Sequence, residues 1–263
     1  MQTSGEILRD HWPEYLMEAA GLGLFMVSAS VVTTLFEYPH SSLFAALPNP
    51  TIRRVLIGIA MGLTAIAIIY SPWGKRSGAH LNPAVTLTFL RLGKISGPDA
   101  VCYIAAQTIG GLLGVFASAA AIGMALGHPR VNFAVTVPGP SGAGIAFLAE
   151  LGISFGLMLT VLTVSNRPAL NAWTGLFAGA LVATYISVEA PLSGMSMNPA
   201  RTFASALPAN IWTSFWIYVT APALGMLLAA ESYVRVNGLH SVLCAKLHHQ
   251  NARRCIFRCS YKA

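Results

Sequence analysis

Asn82-Pro83-Ala84 and Asn198-Pro199-Ala200 are two copies of one helix start. Asn is a favoured N-cap, and Pro is favoured at the first helical position, where its missing N–H costs nothing. The apolar run after the first copy, Val85 to Leu90, stops at Arg91; the run after the second, Thr202 to Ala206, stops at Leu207-Pro208. Each is about two turns, whereas a membrane-spanning helix needs about 20 residues. Two half-helices at equivalent places in two halves of a chain point to a midplane site built from broken helices.

The sequence around these copies is that of a membrane protein. It is 55% hydrophobic and 10% charged, against about 25% charged in a soluble domain. Six full spans are expected, at 14–36, 51–71, 99–125, 143–165, 171–189 and 211–234. Soluble helices are shorter and amphipathic, which argues against a soluble bundle. The N-terminus carries Glu6, Arg9, Asp10 and Glu14 rather than a basic start. The apolar stretch that follows is too long for a signal peptide, so the first span is expected to be retained.

The net charge of +7 follows topology and does not indicate nucleic acid. With both termini inside, the inner segments hold Arg9, Lys75, Arg76, Arg91, Lys94, Arg167, Arg235 and the basic tail, and the outer segments hold Arg53, Arg54 and Arg130. That asymmetry fits the positive-inside rule with cytoplasmic termini in a cell-membrane protein. Arg53-Arg54 goes against it and reads as an outer-interface anchor.

The chain repeats itself. Gly58-x-x-x-Gly62 matches Gly175-x-x-x-Gly179, Asn82 matches Asn198, and Tyr103-x-x-Ala106-x-x-x-Gly110 matches Tyr218-x-x-Ala221-x-x-x-Gly225, at offsets of 117, 116 and 115. Three spans per half is an odd number, so the halves insert in opposite orientations as an inverted repeat. The expected organisation is a cytoplasmic N-terminus 1–12, a first repeat 13–125, an extracellular Pro/Gly-rich linker 126–142, a second repeat 143–235 and a basic cytoplasmic tail 236–263. The small-residue pairs Gly58/Gly62, Gly175/Gly179, Gly110/Gly114 and Gly152/Gly156 are expected to let helix backbones approach closely.

Glu18 and Glu150 each lie a turn inside a span. An intramembrane acid marks function by default, a proton relay being one reading. The other is that each accepts hydrogen bonds from the irregular backbone leading to a half-helix, which must be satisfied inside the bilayer. One such Glu per half favours the second.

The stretches Ser77-Gly78-Ala79-His80-Leu81-Asn82-Pro83-Ala84-Val85-Thr86 and Ser193-Gly194-Met195-Ser196-Met197-Asn198-Pro199-Ala200-Arg201 resemble the two signature loops of the aquaporin (major intrinsic protein) family. Glu18, Gln107, Glu150 and the six-span order extend the resemblance over residues 12–235. It implies an all-α membrane protein of six transmembrane helices plus two half-helices in an inverted repeat, assembled as a homotetramer with one pore per subunit. It implies a passive channel for water, with small neutral solutes such as glycerol, ammonia or metalloid acids as the alternative, and no cofactor. In aquaporin-type pores generally, an Arg or the half-helix dipoles form the barrier to protons and cations. Here both helix N-termini, each equivalent to about half a positive charge, would point at one spot. Asn82 and Asn198 would offer amide donors to a passing oxygen, turning a water's own hydrogens outward.

By the same resemblance a selectivity filter is lined by Met61, Ile186, Met195 and Arg201. Met61 requires one extra residue in the loop Pro72–Ser77; without it the position is Gly62. The set lacks the His of narrow water filters and the Trp and Phe of glycerol filters, and Thr202 stands where glycerol facilitators place Asp. Methionine is flexible enough to reshape such a passage. Arg201 is expected both to line the pore and to hold loop carbonyls, and His80 to bond the loop before Asn82.

The tail holds Cys244, Cys255 and Cys259 with His248 and His249. That spacing is a weak zinc signature, so no metal is assigned. A disordered reduced tail meeting anionic lipid is expected, with Cys244 open to palmitoylation and Cys102 a small core residue. An ion-coupled transporter could share the broken helices, but would make Glu18 or Glu150 essential to coupling. No nucleophile set or acid–base pair indicates an enzyme.

Overall fold

Three helix starts in this chain are written as Asn followed by Pro. Asn49 accepts from Thr51 N and Ile52 N ahead of Pro50, and Asn82 from Ala84 N ahead of Pro83. Asn198 accepts from Ala200 N and Arg201 N ahead of Pro199. Each side chain satisfies amides that have no partner in the first turn. The computed structural model describes residues 4–249 and 251–261. Its main helices are α1 (Ser4–Glu37), α2 (Pro50–Tyr70), α3 (Pro83–Arg91), α4 (Gly97–Ile122), α5 (Gly142–Ser165), α6 (Thr174–Val188), α7 (Pro199–Ala209) and α8 (Phe215–Asn237). Six of these are long and apolar enough to cross a membrane; α3 and α7 are the half-helices. There is no strand among the described residues.

Packing follows the repeat. α1 lies along α4, α5 lies along α8, and α2 and α6 meet across the two halves. Each half-helix packs against the third span of the other half, α3 on α8 and α7 on α4. Gly62 and Gly179 face each other's carbonyls, so a Cβ on either would fall within 2.6 Å of backbone oxygen. Gly110 and Gly114 are pressed in the same way on Ala19 and Gly23. Gly152 and Gly156 do not fit this expectation. A Cβ at Gly152 meets nothing, and one at Gly156 meets only the Tyr185 ring. The α5–α8 approach is made instead by Gly225 against Leu151, so the small residue sits on the opposite helix. The outer surface is apolar, with Leu16, Leu63, Val101, Leu113 and Leu148 exposed, as a lipid-facing bundle requires.

Several boundaries differ from the sequence expectation. α1 begins ten residues early, at Ser4 rather than 14, because charged residues continue a helix below the membrane without penalty. α8 begins at Phe215 rather than 211, since Asn210 and Ser214 both turn left-handed (φ 52°). Arg53 is no interface anchor. It is 1% exposed, pairs with Glu37 through Nε (2.9 Å) and donates to the carbonyls of Leu47 and Pro48 beneath the Phe44 ring. It organises the loop between the first two spans.

The tail departs most from expectation. It folds back against the bundle, on the face where Arg254 Nη1 reaches Asp10 O (3.0 Å). Val242, Cys244, Ala245, Leu247 and Phe257 are buried. Leu243 N donates to Asn166 Oδ1 and Arg258 N to Lys94 O. Cys244, at 2% exposure, is closed to acylation in this arrangement.

Candidate functional site

Two loops lead into the half-helices, and they are built alike. Each follows a short helix, Pro72–Ser77 or Ala190–Ser193, ended by a left-handed Gly (Gly78, φ 95°; Gly194, φ 82°). Ala79 and Leu81 then take positive φ, as do Met195 and Met197 at the matching positions. Such a backbone points amide after amide to one side, and a carboxylate receives them. Glu18 Oε1 accepts from Ser77 Oγ (2.8 Å) and His80 N (3.1 Å); Oε2 accepts from Leu81 N (2.7 Å) and Gln107 Nε2 (2.8 Å). Glu150 Oε1 accepts from Ser193 Oγ (2.7 Å) and Ser196 N (2.6 Å), and Oε2 from Met197 N (2.7 Å). Tyr103 and Tyr218 donate to the carbonyls of Ser77 and Ser193. Both acids are fully buried, and their contacts are donors, the set an acceptor-only carboxylate satisfies.

The loops meet at their asparagines. Asn82 Nδ2 donates to Met197 O and Asn198 Nδ2 to Leu81 O, each at 2.7 Å. Each Oδ1 is occupied by the first amides of its own helix. An amide carries two N–H donors, so each Asn is left with one after bracing the opposite loop. Both line a cavity of about 350 Å³.

That cavity follows α2. Arg54, Ile57, Met61, Ala65 and Ile69 line it at helical spacing on one face. From Arg54 to Ile69 this is about 22 Å at 1.5 Å per residue, against a hydrocarbon core of about 30 Å. Ala178, Val182 and Ile186 of α6 line it opposite, with Leu157 and Val161 of α5. Met61, Ile186, Met195 and Arg201 all reach the cavity. Gly62 turns to α6 instead, so Met61 is the α2 side chain on the path. Arg201 Nη1 is buried without a hydrogen-bond partner, a guanidinium donor held ready for whatever occupies the space. Arg54, Arg130 and Leu247 also line it. Arg54 was legible as the residue two turns before Met61 on the same stripe; Arg130 and Leu247 carry no local signal.

The His80 ring does not bond the loop before Asn82, as the sequence suggested, but joins the half-helix α3 to the tail. Nδ1 lies 3.1 Å from Thr86 Oγ1, and Nε2 lies 2.9 Å from Ala245 O. A carbonyl only accepts, so Nε2 carries the proton. The ring is stacked between Phe89 and Phe257, and the tail therefore contacts the pore loop directly.

One group outside the cavity has metal-binding chemistry. Cys244, His249, Cys255 and Cys259 offer ligand atoms all within 4.8 Å of one another. The expectation of no metal site rested on spacing alone, which does not reveal that a coil closes on itself. The four cysteines are free.

Glu189 lies just beyond α6. Burial pushes its carboxyl up to about 7, against a smaller pull from Ser193. The fold thus prefers the protonated form. The stability this contributes is complete below the unfolded value of 4.5 and is lost as pH rises from there through about 7. Glu189→Gln is expected to abolish that fall, so that variant and parent diverge in Tm at pH 8 more than at pH 4.5. Parallel Tm curves across this range would show that the acid has no such role.

A family model described as Major intrinsic protein matches residues 8–233. The chain belongs to that family. Its relatives are channels, not enzymes, and it is a membrane protein. Aquaporin NIP6-1 of Arabidopsis thaliana is 39% identical over 186 residues, covering 70% of this chain and 59% of that protein. The chain thus spans less than two thirds of that relative's length. Probable aquaporin AqpM of Archaeoglobus fulgidus is 39% identical over 184 residues, covering 67% of this chain and 74% of that protein. The solved aquaglyceroporin of Plasmodium falciparum matches with a TM-score of 0.68 at 20% identity, covering 86% of this chain and 96% of that one. At that identity the likeness is one of fold. In this major intrinsic protein the two loops, the paired carboxylates and the cavity form one connected site.

Proposed function

We propose that the protein is a passive membrane channel that conducts water and admits small neutral solutes while excluding ions and protons. The observation that carries this is the cavity running past the free amide hydrogens of Asn82 and Asn198 and the unpartnered Nη1 of Arg201. A water at the asparagines accepts two bonds from the protein and turns its hydrogens toward its neighbours in both directions. No continuous donor chain then passes the centre. The helix N-termini of α3 and α7 add positive potential there, which opposes cations.

The filter reading is Met61, Ile186, Met195 and Arg201. Three apolar side chains and one Arg demand few hydrogen bonds of a solute, so discrimination rests on size. A site lined this way rejects a slightly larger neutral molecule only weakly, which supports the glycerol, ammonia or metalloid alternative. The aquaporin names of the relatives support water as the basic cargo. Both termini cytoplasmic, two inverted repeats at 13–125 and 143–235, and a homotetramer complete the reading.

Stopped-flow light scattering on proteoliposomes tests it. An impermeant osmolyte is expected to give fast shrinkage, and glycerol a shrinkage followed by re-swelling. Shrinkage no faster than in empty liposomes would overturn the channel reading. A proton or sodium gradient driving uphill flux would move the protein to a transporter. Arg201→Ala is expected to raise glycerol re-swelling several-fold with water flux within about twofold. Loss of water flux with unchanged solute selectivity would instead give Arg201 a purely structural role.

A further inference from the structure

Three thiols and an imidazole converge where the tail lies under the channel. Cys244 Sγ is 3.6 Å from Cys255 Sγ, and Cys259 Sγ is 3.0 Å from His249 Nε2. Tetrahedral zinc with thiolates at about 2.3 Å sets neighbouring sulfurs about 3.8 Å apart, and a sulfur and an imidazole nitrogen about 3.5 Å apart. The first pair already has that spacing, and the second would part by about half an ångström.

The surroundings hold these ligands in place. The His249 ring stacks on Tyr261 at 4.2 Å, and the Tyr261 hydroxyl donates to Ser165 O at the end of α5. Such outer contacts orient a ligating ring before the metal arrives. Lys246, 2% exposed, donates through Nζ to the carbonyls of Arg253 and Arg254. That closes the turn between His249 and Cys255. Ser260 N donates to Leu243 O, joining the two ends of the segment. Residues 242–249 and 251–261 include no helix or strand, yet six of the first eight, Lys246 among them, are buried. Contacts with the bundle hold this coil, and a metal would add a cross-link between its two ends.

We propose that Cys244, His249, Cys255 and Cys259 form a site for zinc, and that the metal holds the tail against the pore loop. Three thiolates with one imidazole are a soft donor set that selects such a cation over magnesium or calcium. Three thiolates, a neutral ring and a divalent ion sum to one negative charge, which Lys246 and the neighbouring arginines offset. The docking contacts interleave with the ligands along the chain. Ala245 O accepts from His80, Leu247 N donates to Gly78 O and its side chain lines the cavity, and Phe257 stacks on His80. Fixing the ligands therefore fixes the contacts. The site stands independently of what the channel conducts.

The test uses the full chain purified in detergent with reductant and without chelator. Elemental analysis is expected to give about one zinc per chain, and zinc-edge absorption a shell of three sulfurs and one nitrogen. Cys255→Ser/Cys259→Ser is expected to lower zinc at least tenfold and to speed tryptic cleavage after Lys246 at least tenfold. A strong chelator should do the same to the unsubstituted chain, and zinc chloride should reverse it, which keeps the test valid if the double variant fails to fold. Zinc below a tenth per chain after incubation with zinc chloride would overturn the proposal. So would a Cys244–Cys255 disulfide in the purified protein, zinc retained by the double variant, or a tail equally protected with and without metal.

Discussion

Glu18→Ala is expected to abolish recovery of folded protein, with Glu150→Ala close behind. Removing the Glu18 carboxylate leaves Ser77 Oγ, His80 N, Leu81 N and Gln107 Nε2 without their acceptor. Ser77, His80 and Gln107 are buried inside the bundle, where bulk water cannot replace it. Losing one partner of a buried charged set costs about 3–5 kcal/mol, a large part of a typical total stability of about 5–15 kcal/mol. The Glu18→Gln variant separates the structural role from a proton relay. Its amide keeps one acceptor oxygen but turns an NH2 toward two donors, so it is expected to fold poorly as well. Monodisperse yield on size-exclusion, Tm in detergent and water flux in proteoliposomes give the answer. A Glu18→Gln protein with parental Tm that loses only a proton-dependent flux would make the acid a relay and the protein a transporter.

The half-helices were legible because their information is local. Asn-Pro encodes a start, and a charge or a proline encodes a stop within two turns. The carboxylates were legible from energetics, since an acid within an apolar span demands partners and the unwound loops supply donors. Arg53 was misplaced because its partners, Glu37 and the carbonyls of Leu47 and Pro48, lie across a turn whose shape no local pattern specifies. Gly152 and Gly156 illustrate a different limit. A small-residue pair shows that a helix face can accept a close neighbour, but not that it has one, and the contact fell to Gly225. The tail was misjudged as disordered because its composition is polar and basic. Its order comes from contacts with α1, α5 and the pore loop, which bring together thiols spread over sixteen positions, 244 to 259. Such closure depends on backbone turns rather than on spacing.

Asn198→Asp is expected to let cations through. Asp is as good an N-cap as Asn, so one oxygen can still accept from Ala200 N and Arg201 N. The second oxygen replaces Nδ2 and faces Leu81 O, which loses its donor. The loops part slightly, but the carboxylate of Glu150 still holds Ser196 and Met197. The electrostatic change is larger than the structural one. Two helix N-termini supply about one positive charge in sum, and an ionised Asp cancels it. A unit charge about 4 Å from a passing cation is worth about 4 kcal/mol at an effective dielectric constant of about 20. That is on the order of a thousandfold in local cation occupancy, reduced by the remaining positive charge of Arg201. Potassium current in planar bilayers is expected to rise at least tenfold over the parent. It should grow with pH as the new carboxyl ionises, and grow again in Asn198→Asp/Arg201→Ala. If a folded Asn198→Asp protein with parental water flux stayed at background current, while the double variant conducted, the barrier would sit at Arg201 and the asparagines would only order water.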